Sequence, residues 1–117
     1  MLDPGKISEI DAWLDEGVDL GYKEQPLAQH WARVAKVVEE AGEAVDALIG
    51  LTAQNPRKGF YASEDDLLGE LADVAFTAIF AMQHFTKDSA RTLAILESKL
   101  SYIHARLERV SREREAK

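Results

Sequence analysis

The feature that most constrains the fold of this chain is the spacing of its apolar residues, which recur every three or four positions in four separate stretches. In the first stretch Ile7, Ile10 and Trp13 follow this spacing, and a proline suited to a first helical turn, Pro26, opens the second. No segment of strand length alternates apolar and polar residues. The chain is therefore predicted to be all-α.

Breaks and caps divide the helices. The segment 55–59, Asn-Pro-Arg-Lys-Gly, interrupts the second apolar stretch. Ser63 and Asp66 then form a capping-box pattern that opens a third helix, and Thr86 or Asp88 can cap a fourth. The predicted helices cover about residues 5–17, with Gly17 and Gly21 loosening the chain after them, then about 26–53, 63–85 and 88–114.

The composition is that of an ordinary globular chain and excludes several classes of protein. With 117 residues, 46% hydrophobic, the chain is expected to form a single domain, 1–117. It has no cysteine, which excludes disulfides, thiolate zinc sites and cysteine nucleophiles. A net charge of −7 disfavours binding to nucleic acid polymers, because the surface repels phosphate backbones.

The N-terminus shows no basic segment followed by an apolar one, so no secretory signal is predicted and a cytoplasmic protein is expected. The longest nearly uncharged stretch, residues 71–86, contains Asp73, Gln83 and His84. It is too polar to be read as a membrane span.

Two acidic motifs lie within the helical stretches. The first is Glu39-Glu40-x-x-Glu43 and the second is Glu70-x-x-Asp73. Residues three or four positions apart share one helical face, so the carboxylates of each motif are expected to lie on the same side of their helix. If the two faces meet, they form a site for a hard divalent cation such as Mg²⁺ or Mn²⁺.

Each motif also has a simpler interpretation. The first can be a solvated helix face. The second lies in an apolar helix that is expected to be buried, where a carboxylate needs a partner. That partner is a metal ion or, alternatively, one of the basic side chains Arg33, Lys99 and Arg106.

The histidines do not fit a di-iron site. Such a site needs Glu-x-x-His on two helices, and the residues three positions before His30, His84 and His104 are Leu27, Ala81 and Ser101. Each histidine is therefore predicted to be a packing or surface group.

Aromatic residues allow two interpretations. Trp31, Phe76, Phe80 and Phe85 can stack on a nucleotide base, but their helical spacing favours core packing. Trp13 is similarly ambiguous, with a subunit interface as its second assignment.

The two acidic motifs resemble a known signature. The order Lys36-x-x-Glu39-Glu40-x-Gly42-Glu43, 26 intervening residues and then Glu70-Leu71-Ala72-Asp73-Val74 is similar to the EExxE and ExxD motifs of the MazG-like all-α nucleoside triphosphate pyrophosphohydrolases. The resemblance covers about residues 27–107.

This resemblance implies a four-helix MazG-like bundle, completed by dimerisation or tetramerisation, that uses Mg²⁺ to split a (d)NTP into the monophosphate and pyrophosphate. Such an enzyme controls nucleotide pools or removes non-standard nucleotides. The implied metal ligands are Glu40, Glu43, Glu70 and Asp73, with Glu39 as a further ligand or as the base that orients water.

The implied phosphate-binding residues are Lys36, Lys99 and Arg106, with Trp31 as a further substrate contact. Arg57 and Lys58 either close over the phosphates or form a solvated turn. Ile103 and His104 stand where the family would be expected to carry a polar amide.

Two other functions remain open. One is a non-catalytic nucleotide- or metal-binding regulatory module, and the other is a structural scaffold in which Asp73 pairs with an arginine. A homo-oligomer with the first or last helix at its interface is expected, because the chain is too small to enclose a nucleotide alone.

Overall fold

The computed structural model describes residues 1–16 and 26–117 of the chain. Those residues form four α-helices and no strand, which confirms the all-α prediction. The predicted bounds agree with the observed ones within about two residues, except that Gly17 and Gly21 lie outside the described residues. The helices are α1 (Pro4–Glu16), α2 (Pro26–Thr52), α3 (Glu64–Thr86) and α4 (Ser89–Glu115).

The α2–α3 hairpin is the centre of the fold. The two helices pack antiparallel, and small buried residues such as Ala44, Ala47 and Ala81 let them approach closely. Where the chain returns from α2 towards α3, the Tyr61 backbone N–H donates to the Gly50 carbonyl oxygen at 3.0 Å. A Cβ atom on Gly50 would lie 2.7 Å from the Tyr61 ring, so this close approach requires glycine.

Local capping fixes where α3 and α4 begin. The Ser63 side chain accepts a hydrogen bond from the Asp66 backbone N–H, and the Asp66 carboxylate accepts one from the Ser63 N–H. This confirms the predicted capping box. Asp88 caps α4 by accepting from the Arg91 N–H at 3.1 Å. Between the two helices, Lys87 adopts the left-handed conformation with φ of 52°.

Helices α1 and α4 join the hairpin near the C-terminal end of α3. Ile7 of α1 is buried, and the Ser8 and Ser89 hydroxyls lie 2.7 Å apart. At the α3–α4 corner, the fully buried Thr92 hydroxyl donates to the Gln83 amide oxygen at 2.9 Å. The second half of α4 is exposed. None of the described helices is long and apolar enough to cross a membrane.

The core is small for a chain of this size. Among the described residues, only five hydrophobic side chains are buried: Ile7, Ala44, Ala47, Ile79 and Ala81. The radius of gyration is 18.5 Å, whereas a globular domain of this length has about 13 Å. One chain therefore leaves much of its apolar surface uncovered.

Because one chain leaves much of its apolar surface uncovered, two sequence predictions about burial are wrong. The third helix is not buried on all sides, since Leu71 and Phe76 are exposed. Core packing was also predicted for Trp31 and Phe85, but these side chains are 71% and 56% exposed. Within residues 1–16 and 26–117, no helix covers the side of the hairpin on which Trp31 and Phe85 lie.

Candidate functional site

The antiparallel hairpin brings the two acidic motifs together. Glu40 on α2 and Glu70 and Asp73 on α3 each place a carboxylate oxygen within 4.8 Å of the other two. These three residues are called the acidic cluster below. Cations such as Mg²⁺ and Ca²⁺ bind oxygen atoms at about 2.0–2.6 Å, so a small inward movement of the side chains is sufficient to surround one ion.

Asp73 differs from its prediction in burial and in its partners. It was expected to be a buried carboxylate, but it is exposed. Its suggested partner Arg33 instead bonds Asp11 and Asp15 of α1. Among the described residues Asp73 forms no ion pair, so the buried-pair interpretation is wrong.

Like charges dominate the electrostatics of the acidic cluster. Partial burial, followed by the negative charges of Asp73, Glu43 and Glu40, raises the pKa of the Glu70 carboxyl. Glu43 contributes through this field and through the neighbouring cleft, not as a member of the cluster. A divalent cation would relieve the repulsion that raises this pKa.

Lys36 lies at the edge of the acidic cluster. Its Nζ atom is 3.0 Å from the Glu39 carboxylate and 3.3 Å from that of Glu40. Hydrogen bonds to these two carboxylates raise the pKa of Lys36. Because the lysine is half exposed, its ammonium group has room to turn towards a phosphate.

An open acidic cleft of about 500 Å³ extends from Glu70 and Asp73 towards the loop between α2 and α3. Glu43, Asp46, Tyr61, Asp65 and Asp66 also line it. The Tyr61 hydroxyl donates to the Asp46 carboxylate at 2.8 Å. The described residues that line the cleft offer carboxylate oxygens and no sulfur or imidazole, which favours hard cations.

Three predicted substrate residues lie elsewhere. Lys99 is in a groove between α3 and α4, with its ammonium 5.5 Å from the Tyr102 ring centroid. Arg106 is on the exposed half of α4, and Trp31 lies in a shallow hollow beside Phe85. None of the three lines the acidic cleft of the same chain.

A second cavity, of about 440 Å³, lies between α1, α2 and α3 and is called the apolar pocket below. It is lined by Ile10, Trp13, Leu14, Asp15, Gln29, Ala32, Arg33, Lys36, Thr77 and Phe80. Its size and its mostly apolar wall are typical of small-molecule sites.

The apolar pocket ends close to the acidic cluster on both helices. Lys36 precedes Glu40 by four residues, and Thr77 follows Asp73 by four. Four residues span about one helical turn, with a pitch of 5.4 Å. The pocket and the cluster are therefore neighbouring parts of one site.

A second group of ionisable residues, Asp11, Asp15 and His84, lies where α1 meets the hairpin. Arg33 bonds the two carboxylates at 2.6 and 3.2 Å, and Lys87 bonds them at 2.9 and 2.7 Å. The positive charges of Arg33 and Lys87 already balance the two carboxylates. This group of side chains, called the polar junction below, is therefore a structural ion-pair network and not a metal site.

The polar junction was not predicted from the sequence. Burial opposes the ionisation of Asp15, but hydrogen bonds from Lys87 and Arg33 outweigh it and lower the pKa of this carboxyl. One signal was present: Asp11 lies four residues after Ile7, on the apolar side of the first helix. A charged residue at such a position calls for a buried partner.

The chain matches no protein-family model, no curated protein and no solved structure.

Proposed function

We propose that this protein is a Mg²⁺-dependent, MazG-like nucleoside triphosphate pyrophosphohydrolase. The observation that carries the proposal is the convergence of Glu40, Glu70 and Asp73 from two helices on one point. These carboxylates would hold Mg²⁺ or Mn²⁺, and the cation, when bound, would polarise phosphate oxygens and lower the pKa of a water molecule.

The residues around the acidic cluster supply the remaining functions. Lys36 offers a positive charge to the phosphates from the edge of the cluster. Glu39 shares this lysine but lies outside the cluster, which suits a base that orients the attacking water better than a metal ligand. Glu43 adds negative charge beside Glu70 and so helps to attract the cation.

The apolar pocket fits the nucleoside end of the same substrate. Its wall of Trp13 and Phe80 suits a flat base, and Gln29 offers an amide to the base edge. Since the pocket ends one helical turn from the acidic cluster, a nucleotide can place its base in the pocket and its phosphates at the metal. Trp13 takes the aromatic role that the sequence suggested for Trp31.

The direct test is a product assay on a panel of (d)NTPs with Mg²⁺. Monophosphate and pyrophosphate should form, and Asp73→Asn should abolish turnover without unfolding the protein, because Asp73 is exposed. Asp65→Asn is the matched control, since Asp65 lines the cleft outside the acidic cluster. Full activity in Asp73→Asn would refute the site assignment.

One observation favours the alternative of a non-catalytic nucleotide- or metal-binding module. Within one chain, Lys99 and Arg106 do not line the acidic cleft, so the set of phosphate donors is incomplete. Stabilisation by Mg²⁺ and nucleotide without turnover on any (d)NTP would establish this second function.

The same proposal includes a homo-oligomer. The accessible surface of one chain is 8850 Å², whereas a folded monomer of 13.0 kDa exposes about 6,300 Å². The excess of roughly 2,500 Å² is larger than the contribution of one subunit to a standard interface, about 800 Å².

A large uncovered apolar surface lies on the hairpin, on the side facing away from α1. It is called the apolar face and comprises Leu27, Trp31, Val34, Val38, Val45 and Leu48 of α2 and Leu68, Leu71 and Phe85 of α3. Within each helix these residues recur at the spacings of a helical bundle. Two hairpins packed face to face would form an antiparallel four-helix bundle. We therefore place the subunit interface on α2 and α3, not on the first or last helix.

Light scattering coupled to size exclusion tests this interface. The wild-type protein should be a dimer or tetramer, and Val38→Glu should lower its mass because a charge in an apolar interface is costly. Leu107→Glu on exposed α4 is the matched control and should leave the mass unchanged. The opposite pattern would move the interface to α4.

A further inference from the structure

We propose that Lys36 is a mobile counter-ion of the acidic cluster. It neutralises Glu40 in the free protein, leaves this carboxylate when a divalent cation binds there, and then holds the phosphates of the nucleotide. This role of Lys36 rests on the function proposed above and adds an order of binding to it, in which the cation precedes the nucleotide.

Lys36 is the only positive charge that bonds the acidic cluster within the described residues. Its Nζ atom lies 3.3 Å from a Glu40 carboxylate oxygen, whereas Glu70 and Asp73 form no ion pair in that part of the chain. The side chain of Glu40 is only 18% exposed, so water screens this attraction less than it screens a fully exposed pair. Lys36 therefore occupies the one carboxylate that α2 contributes to the cluster.

The ion pair between Lys36 and Glu40 can break at little cost. The two residues are four positions apart on one helix with the lysine first, which is the weaker of the two orientations of such a pair. The lysine side chain is half exposed, so its ammonium group can move without opening the core. Glu39 lies outside the cluster, with its carboxylate 3.0 Å from Nζ. It keeps the ammonium group beside the site when Glu40 is occupied.

A divalent cation and the Lys36 ammonium group compete for Glu40. Mg²⁺ binds carboxylate oxygens at about 2.0–2.1 Å. With Nζ 3.3 Å from the same carboxylate, the two positive centres would lie roughly 5 Å apart. Repulsion at this separation weakens cation binding roughly tenfold in water, and several-fold after screening by salt. Movement of the ammonium group away from Glu40 relieves this repulsion.

The released ammonium group lies where phosphates pass between the two parts of the site. Lys36 lines the apolar pocket that we assign to the base, and it precedes Glu40 by about one helical turn. A nucleotide that arrives without a cation meets the carboxylates of the cluster and a lysine that is already paired. Once the cation is bound, the cluster is less negative and the lysine is free, so both changes favour phosphate binding.

The first test measures the binding of Mn²⁺ alone, from the electron paramagnetic resonance signal of the free ion. Lys36→Met should bind Mn²⁺ about three to ten times more tightly than the wild type, because the competing charge is gone. Lys36→Arg keeps the charge and should bind like the wild type. Lys6→Met removes the same charge from an exposed position on α1 and should stay within about twofold.

The outcomes of this first test separate the counter-ion from the proposed function. Unchanged or weaker Mn²⁺ binding in Lys36→Met, with normal binding in the wild type, overturns the counter-ion role alone. A wild-type protein that binds no Mn²⁺ overturns the proposed function together with it.

The second test measures phosphate binding, by calorimetry with α,β-methylene (d)NTPs, which are not cleaved between these two phosphates. At saturating Mg²⁺, Lys36→Met should bind these analogues about tenfold more weakly than the wild type, because a charge-assisted contact is lost. Lys6→Met should bind them as the wild type does. Equal affinities of Lys36→Met and the wild type, or no binding by the wild type, would show that Lys36 does not hold phosphate, and the proposal would be wrong.

Discussion

Replacing Arg33 with methionine should destabilise the protein by about 3 kcal/mol. Its guanidinium group donates to the Asp11 carboxylate at 2.6 Å, to the Asp11 carbonyl oxygen at 3.0 Å and to Asp15 at 3.2 Å. The side chains of Arg33 and Asp11 are only 12% and 5% exposed. Removing one partner from a buried ion pair costs about 3–5 kcal/mol, and the lower end applies because Lys87 still bonds both carboxylates.

The assay is urea denaturation at one fixed protein concentration, near pH 7.5. A double variant, Arg33→Met with Asp11→Leu, should recover most of the loss, since an apolar pair of similar volume replaces a buried ion pair at little cost. A loss below about 1 kcal/mol in the single variant, or no recovery in the double variant, would show that the polar junction does not hold α1 in place.

Three further predictions concern the site and the helix ends. Because protons compete with Mg²⁺ for the Glu70 carboxyl, whose pKa is raised, calorimetry in the acidic range should show affinity falling as the pH falls, and Glu70→Gln should flatten this dependence; an unchanged profile would place the metal elsewhere. In steady-state kinetics, Trp13→Ala should raise KM for the (d)NTP more than it lowers kcat. The reverse result would show that the nucleotide base does not bind in the apolar pocket. Ser63→Ala should cost about 1 kcal/mol in urea denaturation, as the loss of a helix cap does, and no change would mean that the capping box is not formed in solution.

The sequence predicted the helices well because their signals are local. The Ser63 capping box and the Pro26 start depend only on residues within one turn. The spacing within each motif also fixes which helical face carries Glu40, Glu70 and Asp73, but whether the two faces meet depends on how α2 and α3 pack across the connection 53–63.

What the sequence did not predict depends on how separate helices contact each other. The burial of Asp73 was inferred from its apolar neighbours, but burial requires a covering element, and in the structure Asp73 is exposed at the open acidic cleft. The pairing of Arg33 with α1 and of His30 with His84 joins residues far apart in the chain, and no local spacing encodes either contact.

The small core predicts that the stability of the protein depends on its concentration. If only five hydrophobic side chains among the described residues are buried in one chain, the folded state depends on association, and its stability must rise with protein concentration. Each tenfold increase adds about 1.4 kcal/mol per mole of dimer, which for roughly 230 residues corresponds to about 3–5 °C in Tm. Scanning calorimetry over a hundredfold range of concentration should therefore show a rise of about 6–10 °C, and Val38→Glu should melt at lower temperature than Leu107→Glu at every concentration. A Tm independent of concentration would mean that the single chain is stable by itself, and the apolar face would then need another explanation.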